Sequence, residues 1–323
     1  MKEYMWLMCC MIRIYAMKKV FHLCHSSKVE VLFRSHDDYN WGFNSYALAL
    51  YKTDSCSLAD AHMSNHRHLI TQTDCPEKVM RLTRLGYTRH MNTKYKRCGP
   101  LGESEYFCIE LDGIYHQIAA ITYAMRNPLH HGVAATPFAY PHCSANLLFR
   151  PQLGKQNDAK ELLHQCHYHS HVGRNVKVPP GYYMDKSGLF LRENVTAVSQ
   201  VELLYGTPRT FLYYMNRISD DKWIEEQKSD EVDTPIITVD LIEKGVLLTP
   251  PELLSANERG RANYNHITDI QLCEVIDQLV VERYRLVSVY TMSYSQKNEL
   301  YCFLKETYNC NDQQLRRCLA LNY

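Results

Sequence analysis

The chain has 323 residues, enough for two domains of ordinary size, and its 46% hydrophobic and 22% charged content is that of a globular protein, not a fibrous or disordered one. A net charge of +1 excludes a chain that is basic or acidic throughout, yet the charge is uneven: residues 1–150 hold 17 Lys and Arg against 12 Asp and Glu, and residues 201–250 hold 5 against 10. The 13 cysteines include no CxxC pair and are odd in number, so they read as reduced thiols of a cytoplasmic protein.

The apolar run from Tyr4 to Met17 is interrupted by Arg13, is too short to cross a bilayer and precedes no small-residue cleavage site, so no membrane segment is expected. Met17 opens Met-Lys-Lys-Val-Phe, and residues 1–17 read as an N-terminal extension. In chain order, residues 18–25 alternate as a strand. Residues 36–52 follow as a helix capped by Ser35 or Asp37. Two strands, 55–63 and 65–72, meet at a tight turn near Ser64-Asn65. A helix over 76–96, capped by Asp74, carries Arg81, Arg84, Arg89, Lys94, Lys96 and Arg97 with no acid from Arg81 to Arg97. With Tyr87 and Tyr95 among those charges, it can track a phosphate backbone and stack bases, or it is simply a solvated basic face. Gly99-Pro-Leu-Gly102 ends it, a strand covers 105–111, and a last helix runs from Gly113 to Asn127, closed by Pro128. The order β-α-β-β-α-β-α predicts a ferredoxin-like α+β fold over residues 18–150, an antiparallel sheet with helices on one face.

Residues 151–200 mix Pro, Gly, Asn and Lys with short apolar stretches and read as a connecting segment that winds over the surface. Residues 201–323 read as a mostly helical region, with helices over 199–206, 208–218 and 268–281 and an acidic loop at 219–233. Ser293 and Gln296 form a capping box for another helix. A shorter one, Asp312 to Leu321, is expected to expose Gln313, Gln314, Arg316 and Arg317. The pair over 293–321 is either a helix-turn-helix DNA reader or a plain helical hairpin.

Two segments carry candidate chemistry. In Ala61-His-Met-Ser-Asn-His-Arg-His-Leu-Ile70, His66 and His68 are two apart on a strand, so both leave the same face and can offer two nitrogens to one cation. In Ile121-Thr-Tyr-Ala-Met-Arg-Asn-Pro128, Tyr123 and Asn127 lie one turn apart on one helix face. Together they amount to three metal ligands and a nucleophile; separately, they are a histidine pair of structural use and a core tyrosine with a helix-ending asparagine. A further cluster, His164, Cys166, His167, His169 and His171, matches no structural zinc spacing and reads as a surface loop.

The first segment resembles the Met-Pro-Asn-His-x-His-Leu signature of the single-tyrosine HUH transposases, in particular the REP-associated group. Tyr123-Ala-Met-Arg-Asn-Pro-Leu-His-His-Gly132 resembles their Tyr-Ile-x-x-Asn-Pro-x-x-x-Gly signature, and Gly99-Pro-Leu-Gly resembles the loop before their last strand. The resemblance covers about residues 18 to 150. It implies His66, His68 and Asn127 as ligands of Mg²⁺ or Mn²⁺, and Tyr123 as the nucleophile that forms a 5′-phosphotyrosine with single-stranded or hairpin DNA. The implied activity is a transposase-like cleavage and rejoining of DNA strands, with a homodimer left open. Arg67 stands where the pattern has an apolar residue, so it is expected at an open face or reaching a carboxylate or phosphate. Together with the acidic Glu103-Ser-Glu105, it motivates an alternative, an inactive DNA-binding regulator of the same fold.

Overall fold

A computed structural model describes residues 18–155, 161–217, 221–230, 232, 235–239, 241, 267–308 and 310–321. The N-terminal extension, residues 219, 220, 231 and 233 of the stretch expected as an acidic loop, and residues 242–266 lie outside the described residues.

Four strands form one antiparallel sheet: β1 (Val20–Ser26), β2 (Cys56–His62), β3 (His66–Gln72) and β4 (Phe107–Glu110), in the order β2-β3-β1-β4. Between them run α1 (His36–Lys52) and α2 (Pro76–Tyr95), and α3 (Ile114–His130) follows β4. Ser35 caps α1 in a full capping box with Asp38, whereas Cys75, not Asp74, stands at the N-cap of α2. The β2–β3 turn is tight at Ser64-Asn65, closed by the Met63 amide donating to the His66 carbonyl at 2.7 Å.

The sheet is covered on both faces, which corrects the expectation of helices on one. Leu23 and Leu69 pack with Phe43 of α1 and Val79 and Met80 of α2. On the opposite face Val20 and Ile70 pack with Ile118, Ile121, Tyr123 and Met125 of α3. The strand period of two explains the split: even positions of β1 and β3 share the α3 side, odd positions the α1–α2 side. Because both faces are buried, β1 and β3 lack the polar-out alternation of a half-solvated sheet.

Pro128 does not close α3. The helix runs on to His130, with His131 at its C-cap. The missing proline N–H is tolerated because α3 is held on two sides, by the sheet and by α5 (Val198–Tyr205), α6 (Pro208–Asn216) and α7 (Asp221–Lys228). The last of these forms within the stretch expected as an acidic loop; its Trp223 is buried in the α3 core.

Residues 161–196, expected to wander over the surface, close the α1 side instead. Tyr168, Val172, Met184, Phe190 and Val195 complete the α1–β1–β3 core. Asn44 of α1 holds this strap as a strand would: its amide donates to the Gly188 carbonyl at 2.7 Å and accepts from the Phe190 amide at 2.9 Å. A single helical turn, α4 (His169–Val172), belongs to it.

The C-terminal helices α8 (Asp269–Tyr284), α9 (Tyr294–Thr307) and α10 (Asp312–Cys318) form a separate apolar cluster around Leu272, Ile276, Leu300 and Leu315. They dock on the loop after β1 and on the β2–β3 turn. Arg34 donates to Asp277 at 2.6 Å and to the Cys318 carbonyl at 2.7 Å, and Ser64 Oγ donates to Asp269 at 2.6 Å. No helix among the described residues is long and apolar enough to cross a membrane.

Candidate functional site

The even face of β3 presents His66 and His68 toward α3, and α3 answers with a stripe at every fourth residue: Tyr123, Asn127 and then His131. The four residues singled out in sequence therefore meet. His66 Nε2 lies 2.8 Å from Asn127 Oδ1, and the His68 ring stands edge-on to the Tyr123 ring at 5.4 Å between centroids. All four are buried; even Tyr123 is only 6% exposed.

Two further imidazoles, not expected from the sequence, enter the site. His22 lies on the same face of β1, diagonal to His68, and its Nε2 is 2.9 Å from His68 Nδ1. His131 stacks at a tilt on His66, with centroids 4.8 Å apart. Both had a signal: His22 shares strand parity with the apolar Val20, and His131 is four residues beyond Asn127. The expectation that Pro128 ends the helix hid the second.

Burial sets the charge state. His66 is pushed down to about 4, mainly by desolvation, with the Asn127 contact opposing. Burial pushes His22 down to about 3, and His68 and His131 lie well below the ordinary imidazole range through burial and then through neighbouring imidazoles. Near neutral pH these rings are uncharged, the form in which imidazole binds a metal.

The donor set fits a divalent ion. The His66 Nδ1 is 2.9 Å from Asn65 Oδ1, and when it donates there, Nε2 points a lone pair at the Asn127 oxygen. Two lone pairs at 2.8 Å repel unless a proton or cation mediates; ligand atoms on an octahedral edge sit about 3 Å apart. His68 Nε2 is buried with no hydrogen-bond partner in the protein. A mixed nitrogen and oxygen set of this kind suits Mn²⁺ better than Mg²⁺. Among the described residues, the one group of three His, Cys, Asp or Glu side chains whose ligand atoms converge within 4.8 Å is elsewhere: Asp37, Asp38 and His90. There the Lys94 ammonium already supplies the positive charge, 2.9 Å from Asp37 and 2.8 Å from Asp38.

The candidate nucleic-acid contacts divide. Arg81, Arg89 and Lys96 are exposed along α2. Lys94 is held by the acids just named, Arg97 pairs with Glu30 at 3.0 Å, and Arg84 donates to the carbonyls of Glu103 and Ser104. Tyr87 and Tyr95 offer no face to bases: both are buried, donating to the Leu32 carbonyl and to Asp38. An amphipathic helix packed on a sheet turns its aromatics inward, which corrects the stacking expectation. On α10, Arg316 is half-buried with its guanidinium 5.8 Å from the centre of the Tyr301 ring. Arg317 is buried and paired with Asp269 at 3.0 and 3.1 Å, and Gln314 is buried too. Of the face expected to read DNA, Gln314 and Arg317 are thus turned into the protein, while Gln313 is exposed as expected.

Arg67 meets neither expectation. It is 1% exposed on the α1–α2 face, with Nη2 3.3 Å from His25 Nδ1 and the guanidinium 5.7 Å from the centre of the Tyr87 ring. Its Nε and Nη1 lack partners, and burial pushes its pKa down to about 10. Of the His164–His171 cluster, His164, Cys166, His167 and His169 are exposed around the turn that Tyr168 and Val172 anchor. All eleven described cysteines are free.

Compared with models of protein families, with curated proteins and with solved structures, the chain matches none.

Proposed function

We propose that this chain is a single-tyrosine HUH-type DNA strand transferase or nickase that works through a 5′-phosphotyrosine. The observation that carries the reading is the convergence of Tyr123 and Asn127, one turn apart on α3, on His66 and His68 of β3, with 2.8 Å between His66 Nε2 and Asn127 Oδ1. These are the four residues of the two resembling signatures, and they come from elements well separated in the chain.

His66, His68 and Asn127 would hold the divalent ion, Mg²⁺ or Mn²⁺, which would supply Lewis-acid stabilisation of charge on the scissile phosphate. Tyr123 is the nucleophile. Its oxygen bonds to the scissile phosphorus as the P–O3′ bond breaks; the phenol gives up its proton, and the departing 3′-oxygen takes one up. Another strand's 3′-hydroxyl reverses the exchange, so one phosphodiester is made for each one broken. The buried imidazoles stay neutral, so protons do not compete with the ion for their nitrogens.

A second reading has its own observation. The site is closed: His66, His68, Asn127 and Tyr123 are all buried, beside a C-terminal unit latched to the adjoining turn through Ser64 and Asp269. A chain that had kept the fold and lost cleavage would bind DNA and leave these side chains covered.

Incubation with end-labelled single strands bearing a hairpin, in Mn²⁺, separates the two. We expect a covalent protein–DNA adduct on a denaturing gel that disappears in Tyr123→Phe. Binding without an adduct supports the inactive regulator, and cleavage that survives Tyr123→Phe assigns the chemistry to metal-activated water instead.

A further inference from the structure

His68 binds a cation through Nε2 only if that nitrogen carries a lone pair, so its proton must sit on Nδ1. The nearest acceptor for that proton is not the carboxylate or backbone carbonyl usually found behind a metal-bound histidine. It is a third imidazole: His68 Nδ1 lies 2.9 Å from His22 Nε2, both rings wholly buried. The two rings share one bridging proton, which leaves two arrangements. If His22 Nε2 donates, His68 Nε2 is an N–H with nothing to receive it and no ion can bind. If His68 Nδ1 donates, the unpartnered N–H moves to His22 Nδ1 and His68 Nε2 is open, so a cation at His68 Nε2 is what favours this arrangement over the other. The His22 ring is held for this by its strand and by Phe107 of β4, edge-on at 5.5 Å.

We propose that His22 is a positioning residue for the metal pair, accepting the Nδ1 proton of His68 and so fixing the tautomer and ring angle that His68 needs to bind the ion. The assignment rests on the metal-dependent reading of the site. It separates His22 from the ligands themselves, because no third His ligand atom converges with those of His66 and His68 within 4.8 Å among the described residues.

The test is Mn²⁺ binding to the full chain, read as loss of the free-ion EPR signal, without DNA. His22→Ala is expected to weaken binding about 10- to 100-fold. His22→Gln, whose amide oxygen can accept the same proton, is expected to recover most of that loss, and His68→Ala to abolish binding. Wild-type affinity in His22→Ala, or His22→Gln as weak as the alanine variant with the fold intact, overturns the proposal and leaves the metal reading standing. A wild-type chain that binds no Mn²⁺ overturns both. Should His22→Ala fail to fold, two-bond ¹⁵N–¹H spectra of the wild-type protein with Mg²⁺ decide: His22 protonated at Nδ1 and accepting at Nε2 is expected, and His22 protonated at Nε2 overturns the proposal.

Discussion

Arg67 lies between two site histidines and takes no part in their face of the sheet. Its guanidinium is buried against Tyr87 and His25, with two N–H-bearing nitrogens unpartnered. Removing a cation of this kind from water costs more than one ring face returns. Arg67→Met keeps much of the length of the side chain and is expected to raise stability by ~1–3 kcal/mol in urea titration. A comparable loss would show that the Tyr87 and His25 contacts outweigh desolvation. Since Arg67 points away from Tyr123, the substitution should leave any DNA adduct intact.

At the scale of elements, α2 and α3 stand on opposite faces of the sheet, so the basic helix does not line the tyrosine site. Its C-terminal half nevertheless reaches the end of the sheet where His66 lies, since Tyr87 donates to the Leu32 carbonyl and the Leu32 amide donates to the Ser64 carbonyl at 2.7 Å. Under the proposed function, a DNA strand leaving the site at that end would meet Arg89 and Lys96, both exposed. Reversing Arg89 and Lys96 to Glu should weaken single-strand binding about 10-fold at 0.1 M salt and reduce the log–log salt slope by roughly 1.4, on the order of 0.7 for each phosphate charge that the protein no longer neutralises. Fluorescence anisotropy over a salt series measures both. Lys94→Ala serves as the contrast: its charge is spent on Asp37 and Asp38, and affinity should hold.

For the whole molecule, the dominant electrostatic feature is a set of buried neutral imidazoles. His22, His25, His62, His66, His68, His131 and His142 are all pushed below the ordinary value of 6.5, chiefly by burial. Unfolded, each binds a proton as pH falls through about 6.5; folded, His62 and His66 wait until about 4 and His22 until about 3. Over that window the unfolded state holds more protons, so stability must fall as pH falls, by up to about 1.4 kcal/mol per pH unit for each ring. In EDTA, the melting temperature should be flat above pH 7 and drop steeply between pH 6.5 and 5. A curve flat down to pH 5 would contradict the burial of these rings.

The boundaries of α1, β2, β3 and α2 were legible in the residues because caps, breakers and periodicity act locally. So was the pairing of Tyr123 with Asn127, a matter of helical pitch. Local pattern was enough to say which side chains leave one strand or one helix turn together. Which of these faces meet depended on packing between distant segments. Contacts on two sides carried α3 past Pro128 and brought His131 into line. Strand pairing placed His22 behind His68 from 46 residues away. The C-terminal unit drew Arg317 inward to Asp269, and the sheet drew Tyr87 inward from a helix that reads as basic and open. The free energy in each case comes from burying surface between segments distant in the chain, and no local pattern records which distant partner that surface will find.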